Sequence, residues 1–303
     1  DAGADAVQLD EPTLVLDLSD EERAAFAQAY EALADAADLD LHVATYFGGL
    51  EDNLPTALDL PIDALHLDLD RGAGQLQAAL DHGVPDDLAL SLGVIDGRNV
   101  WRADLDALLG TVETAIDALG TDRVLVGPSC SLLHVPVDLD TEPGLSDEMK
   151  TWFAFATQKI EEIVALAERA DGHEDATEAL FEKSRRAHAA RAESDWINDA
   201  AVQDRVAGID AAMTERDSPH SSRSPLQREA LDLPTLPTTT IGSFPQTDDM
   251  RRMRAQYKKD EISKDEYEDF IEEQIADTIA AQEEIGLDVL VHGEPERGDM
   301  VEH

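Results

Sequence analysis

The sequence predicts an α/β fold built on a parallel sheet. Three observations predict it. Short apolar runs alternate with amphipathic stretches five times in the first half of the chain, the pattern of βαβ crossovers. Nearly every apolar run ends in polar or charged residues, such as Asp10-Glu11, Asp70-Arg71 and Asp96-Gly97-Arg98-Asn99. The hydrophobic fraction of 43% is enough for a packed core, so the high charge does not imply disorder.

In order, Val7-Gln8-Leu9 reads as a strand ending at Asp10-Glu11-Pro12. Ser19 or Asp20 caps a helix running to about Ala37, with Glu21 and Glu22 suited to its first turn. Leu41 to Phe47 is the next strand, followed by a short helix over 52–58. Ala64 to Leu69 is the third strand, with a helix from Ala73 to His82. Leu88 to Ile95 is the fourth, with a helix from Asp104 to Leu119 and Gly120 at its end. Val124 to Gly127 is the fifth, and a long helix is expected over 146–170. No strand pattern follows until Thr238. Helices are expected over 175–191 and 195–214, and a loop over 215–225.

The stretch Leu236 to Thr247 reads as a β-branched strand, Thr238 to Ile241, stopped by Gly242-Ser243, with Pro245 keeping Phe244 extended. Helices over 247–259 and 263–285 follow, the second opened by a Ser263/Glu266 capping box. Leu287 to Val291 is a further strand that delivers His292-Gly293-Glu294. Polar residues at the carboxyl ends of parallel strands suit the binding face of an α/β barrel. A closed barrel of that type needs eight strands, and the first half of the chain supplies five.

Several clusters carry possible chemistry. Ser243 and Glu294 close two strands, so a carboxylate for an ammonium group and a hydroxyl with N–H groups for a carboxylate could face one pocket. On spacing alone, a turn serine and a barrel-rim glutamate are the plainer reading. His292, two residues before Glu294, shares its face if the strand continues. It is a proton shuttle, a metal ligand or a hydrogen-bonded structural histidine. Cys130 and His134 suggest zinc, but no second cysteine completes a ligand set, and a structural turn is the plainer reading. Asp10/Glu11 and Asp68/Asp70 are carboxylate pairs that arise easily by chance among 67 acidic residues. Arg251, Arg252, Arg254, Lys258 and Lys259 form the one basic cluster, read as a solvated helix face or a receptor for an acidic tail.

The net charge of −44 argues against nucleic-acid or anionic-membrane partners. It fits a folded protein of a salt-rich cytoplasm, where salt screens the repulsion. No apolar run is long enough for a membrane span. Asp1-Ala2-Gly3-Ala4-Asp5 lacks the features of a signal peptide. One cysteine excludes an internal disulfide and fits a reducing cytoplasm.

Four segments carry a resemblance, in order along the chain: Ser91 to Trp101 (SLGVIDGRNVW), Pro128 to Pro136 (PSCSLLHVP), Leu236 to Thr247 (LPTTTIGSFPQT) and Ile285 to Glu302 (IGLDVLVHGEPERGDMVE). They resemble cobalamin-independent methionine synthase. Gly298 departs from the family, which usually carries Asn there. The resemblance implies the (β/α)8 TIM-barrel family: the end of an N-terminal barrel over 1–170, a helical connector over 171–233, and the first strands of a catalytic barrel over 234–303. It implies methyl transfer from 5-methyltetrahydropteroyl-polyglutamate, a methyl-folate, to homocysteine, a step in methionine and amino-acid biosynthesis. Ile241, Gly242, Ser243 and Glu294 would bind homocysteine and methionine. The zinc of the full enzyme would lower the thiol pKa of homocysteine, held by a His, Cys, Glu, Cys set beyond His303. The fragment alone would then be inactive, with neither catalytic nor metal residues of its own. A related barrel methyltransferase or decarboxylase, or a non-catalytic scaffold fragment, are the alternatives.

Overall fold

The computed structural model describes residues 3–36 and 39–298. The terminal Asp1-Ala2, the expected helix end at Ala37, and Asp299 to Glu302 of the resemblance lie outside them. The chain divides into two compact units, Asp1–Ala207 and Gly208–His303.

The first unit is an α/β layer. Strands β1 (Ala6–Asp10), β2 (Asp40–Ala44), β3 (Ala64–Asp68), β4 (Ala89–Ile95) and β5 (Val124–Pro128) pair in parallel in the order 1-2-3-4-5. Helices α1 (Asp20–Ala34), α2 (Leu54–Leu58), α3 (Gln75–His82) and α4 (Leu105–Leu119) connect them. Strand periodicity decides the two faces. Leu41, Val43, Leu65, Leu67, Leu90 and Leu92 all turn into one buried core with Leu76, Ala79, Leu105 and Val112 of the helices. The opposite face carries Gln8, Asp10, His42, Ala44, His66, Ser91 and Gly127, and lines a concavity of about 360 Å³.

Local chemistry fixes the helix ends. Ser19 accepts from the Glu22 N–H while the Glu22 carboxylate accepts from the Ser19 N–H, a reciprocal box. Asp104 caps α4, and Gly120 at φ 86° ends it.

The long helix expected over 146–170 is broken. Helices α5 (Asp147–Trp152) and α6 (Ala156–Ala170) flank an extended Phe153–Phe155. Arg102 N–H donates to the Trp152 carbonyl and Ala154 N–H to the Val100 carbonyl, both at 2.8 Å. Trp101 and Phe153 form an antiparallel bridge, their rings 5.2 Å apart. Pairing these aromatics outcompetes helix continuity. Helix α7 (Glu174–Glu193) then packs on α4 and α6, burying Thr177, Phe181, Ser184 and Ala187. The single helix expected over 195–214 is two, α8 (Ala200–Ala207) and α9 (Ala211–Thr214).

In the second unit, residues 220–225, expected as loop, belong to α10 (His220–Leu231), which accommodates Pro225. Helices α11 (Asp248–Lys258) and α12 (Lys264–Ile285) form as expected, capped by Thr247 and by the Ser263/Glu266 box. The two expected strands do not form a ladder. Residues 238–244 and 287–293 instead run side by side, joined by Val289 N–H to the Thr238 carbonyl (3.0 Å) and Phe244 N–H to the Gly293 carbonyl (2.9 Å). A two-stranded pair without further strands is marginal in water, and the described residues of this unit hold no third strand. Side chains replace the ladder. Asp288 Oδ2 accepts from the N–H and hydroxyl of Thr238, both at 2.8 Å. Those bonds hold its carboxyl below the usual range. Fully buried Gln282 of α12 donates to the Val291 carbonyl at 2.6 Å and accepts from its N–H at 3.0 Å, as a neighbouring strand would.

Candidate functional site

The second unit brings together two of the segments singled out above. Gly242, at φ 128°, lies beside Glu294: a Cβ built on Gly242 would stand 3.9 Å from Glu294 Oε1. Ser243 is exposed and Ile241 fully so. Phe244 packs under Gly293, where an added Cβ would meet Phe244 at 3.2 Å and Thr278 at 2.9 Å. Glycine at 293 therefore lets the two segments approach.

Glu294 is not presented by a straight strand end. Gly293 (φ 86°) and Glu294 (φ 56°) both adopt left-handed backbone, an uncommon state for a glutamate. The expectation that His292 and Glu294 share a strand face fails for that reason. Their contact runs through the backbone: Glu294 N–H donates to His292 Nδ1 at 3.0 Å. The acceptor role at Nδ1 leaves the ring proton on Nε2, 3.3 Å from Glu296 Oε1. Glu294 Oε2 accepts from Arg297 Nη1 at 2.6 Å, in a pair about three-quarters buried. One carboxylate oxygen is thus held by a guanidinium and the other lies toward Gly242. A cavity of about 640 Å³ opens here, walled by Tyr257, Tyr267, His292, Glu294 and Arg297. The tyrosine rings stack at 4.7 Å.

Arg254 departs from the sequence reading. Arg251 and Arg252 do lie on the outer face of α11, paired with Asp248 and Asp249. Arg254 points inward. Its Nη2 donates to Gln246 Oε1 (2.8 Å), the Pro295 carbonyl (2.8 Å) and the Arg297 carbonyl (2.9 Å). A signal was present: Arg254 stands four residues after Met250, the buried residue of α11, so both share a face.

The first unit separates its candidates. Cys130 is buried and its thiol is pushed up, chiefly by burial, while His134 packs edge-on against Phe47 at 5.6 Å. Glu11 accepts from the Tyr30 hydroxyl (2.9 Å), whereas Asp10 takes Gln8 (2.8 Å) and Tyr46 (3.3 Å). Asp68 is consumed by the N–H groups of Phe47, Asp70 and Arg71. Burial and the nearby Asp96 raise Asp70. On the polar sheet face, His66 Nδ1 lies 2.9 Å from Ser91 Oγ, and burial lowers the His66 pKa. Among the described residues no three His, Cys, Asp or Glu side chains converge where a metal could sit. No helix described is long and apolar enough to cross a membrane.

Comparison with known proteins gives matches at both ends of the chain. The model for the cobalamin-independent synthase N-terminal domain matches residues 1–120, and that for the family's catalytic domain matches residues 236–303. A 5-methyltetrahydropteroyltriglutamate--homocysteine methyltransferase of Salinibacter ruber (strain DSM 13855 / M31) is 95% identical over the whole of this chain and 39% of its own length. Its counterpart from Caulobacter vibrioides (strain ATCC 19089 / CIP 103742 / CB 15) is 52% identical over the same shares. The chain therefore spans about two fifths of the length of these curated relatives. With both domain models matched in order and the whole of this chain aligned to part of such a relative, the chain belongs to the cobalamin-independent synthase family.

Proposed function

We propose that this chain is part of a methionine synthase that transfers a methyl group from 5-methyltetrahydropteroyl-polyglutamate to homocysteine. In this reading its role is to hold the amino-acid end of homocysteine. The observation that carries it is the approach of the Glu294 carboxylate to the Ile241-Gly242-Ser243 backbone. Glu294 takes the ammonium group. The Ser243 hydroxyl and neighbouring N–H groups take the carboxylate. The pair with Arg297 orients Glu294 before the amino acid arrives.

The same reading assigns residues 1–170 to the end of an N-terminal (β/α)8 barrel, 171–233 to a helical connector and 234–303 to the opening of the catalytic barrel. The parallel order of the five strands supports the first of these. Zinc belongs to the whole enzyme and would activate the homocysteine thiol. The described residues offer it no ligand set, so no step is assigned to it within this chain. We place the enzyme in a salt-rich cytoplasm, on the strength of its charge.

The test is Glu294→Gln in the whole enzyme, read as L-methionine or homocysteine affinity. Removing one partner of a desolvated charge pair costs about 2–5 kcal/mol, or roughly 30-fold to several-thousand-fold. Ser243→Ala should cost less, because the N–H groups remain. Affinity within twofold of the parent for Glu294→Gln would refute the assignment.

A further inference from the structure

We propose that Arg254 is a positioning residue for this amino-acid site, acting through Glu294. The proposal rests on the reading just given. The two segments that would form the site are not bound by a sheet ladder, so something else must fix their spacing. Arg254 is placed to do it. One terminal nitrogen of its guanidinium reaches Gln246, three residues after Ser243, and the carbonyls of Pro295 and Arg297, both in the turn that Glu294 opens.

The chemistry favours a cation there. Nη2 carries two hydrogens for three acceptors, so one hydrogen is shared. A charged donor strengthens each bond beyond what a neutral amide gives. The Pro295 and Arg297 carbonyls are also set by the turn itself: Arg297 N–H closes it on the Glu294 carbonyl at 3.3 Å. That bond is long, and the left-handed backbone at Glu294 is unfavourable for a side chain bearing a Cβ. Arg254 supplies the external bonds that hold it. Its backbone belongs to α11, anchored by Met250. A rigid helix thereby fixes a strained turn, and the turn fixes the carboxylate against Gly242.

The test uses the whole enzyme, with L-methionine as the probe. Arg254→Gln is expected to weaken methionine binding by about tenfold or more, since outright loss of the Glu294 contact costs roughly 30-fold or more and misplacing it forfeits part of that. The loss should fall on the KM for homocysteine, with kcat at saturation changed less than about threefold. Arg254→Lys keeps a cation with three donors on one nitrogen and should recover part of the loss. On a Glu294→Gln background, Arg254→Gln should add little, because the two act on one contact. Methionine affinity within twofold of the parent for Arg254→Gln, beside a large loss for Glu294→Gln, would overturn the positioning role and leave the site standing. A fully additive double variant would overturn it as well. A Glu294→Gln variant that binds normally would instead remove the site on which the proposal stands. Should Arg254→Gln fail to fold, Gln246→Leu breaks the same link from the other side. It is expected to weaken methionine at least about threefold, and a folded Gln246→Leu variant within twofold of the parent would sink the proposal.

Discussion

Glu162 offers a pH prediction whose size follows from its surroundings. Its side chain is fully buried on α6 against an equally buried Arg102. One oxygen takes long hydrogen bonds from Arg102 Nη1 (3.3 Å) and Ala103 N–H (3.4 Å). The other has no hydrogen-bond partner. Burial therefore outweighs the attraction of Arg102 and Lys159 and pushes the carboxyl from its ordinary 4.5 up to about 7. Between those values the folded chain binds a proton that the unfolded chain has released. Stability from this group is thus fully present below pH 4.5 and lost as pH rises toward 7. At about 1.4 kcal/mol per pH unit the gap is worth about 3 kcal/mol. The perturbation is Glu162→Gln, a neutral isostere that cannot titrate. Urea unfolding followed by tryptophan fluorescence reports the first unit, which holds Trp101, Trp152 and Trp196, the chain's three tryptophans. The other carboxylates titrate alike in both proteins, so the difference curve isolates Glu162. Relative to Glu162→Gln, the parent should lose about 3 kcal/mol between pH 4.5 and 7 and change little above that. A difference that stays flat, or that rises with pH, would show that Arg102 stabilises the ionised form and that the balance drawn here is inverted.

Raising KCl from about 0.1 to 1 M shortens the screening length from about 10 to 3 Å. The thermal midpoint of this strongly acidic chain should climb across that series, and a flat or falling midpoint would remove the argument from charge. Cys130 is buried and its thiol is raised by that burial, so a thiol reagent should modify it slowly in the native chain and quickly in denaturant. Fast stoichiometric labelling under native conditions would contradict this placement.

The alternation of strand and helix in the first unit was legible because its punctuation is local. Ser19 with Glu22 and Gly120 after α4 each announce a helix end through a short-range hydrogen bond or a positive φ, as Ser263 with Glu266 does in the second unit. The break at 153–155 was not legible. It depends on partners some fifty residues away, at Val100 to Arg102, and no window around Phe153 contains them. Thr238 to Ile241 carry strong β propensity, yet propensity cannot supply the neighbouring strand that a ladder needs. At the site, the residue types at Gly242 and Glu294 were readable. Arg254 was hidden in a basic run, and only its alignment with Met250 distinguished it. The turn at Glu294 was also hidden, because a glutamate gives no sequence sign that its backbone is left-handed.

Gln282 has a mechanical consequence. By bonding both the N–H and the carbonyl of Val291, it ties the approach to Glu294 to one point on α12, nineteen residues along from Ser263, which caps it. The segment's register is read from a helix, not from a row of strands. Sliding or rotation of α12 about its axis is therefore delivered to the segment at Val291, while the Phe244–Gly293 bond and Arg254 hold the turn beyond it. The helix bears on the segment as a lever does, through one amide side chain.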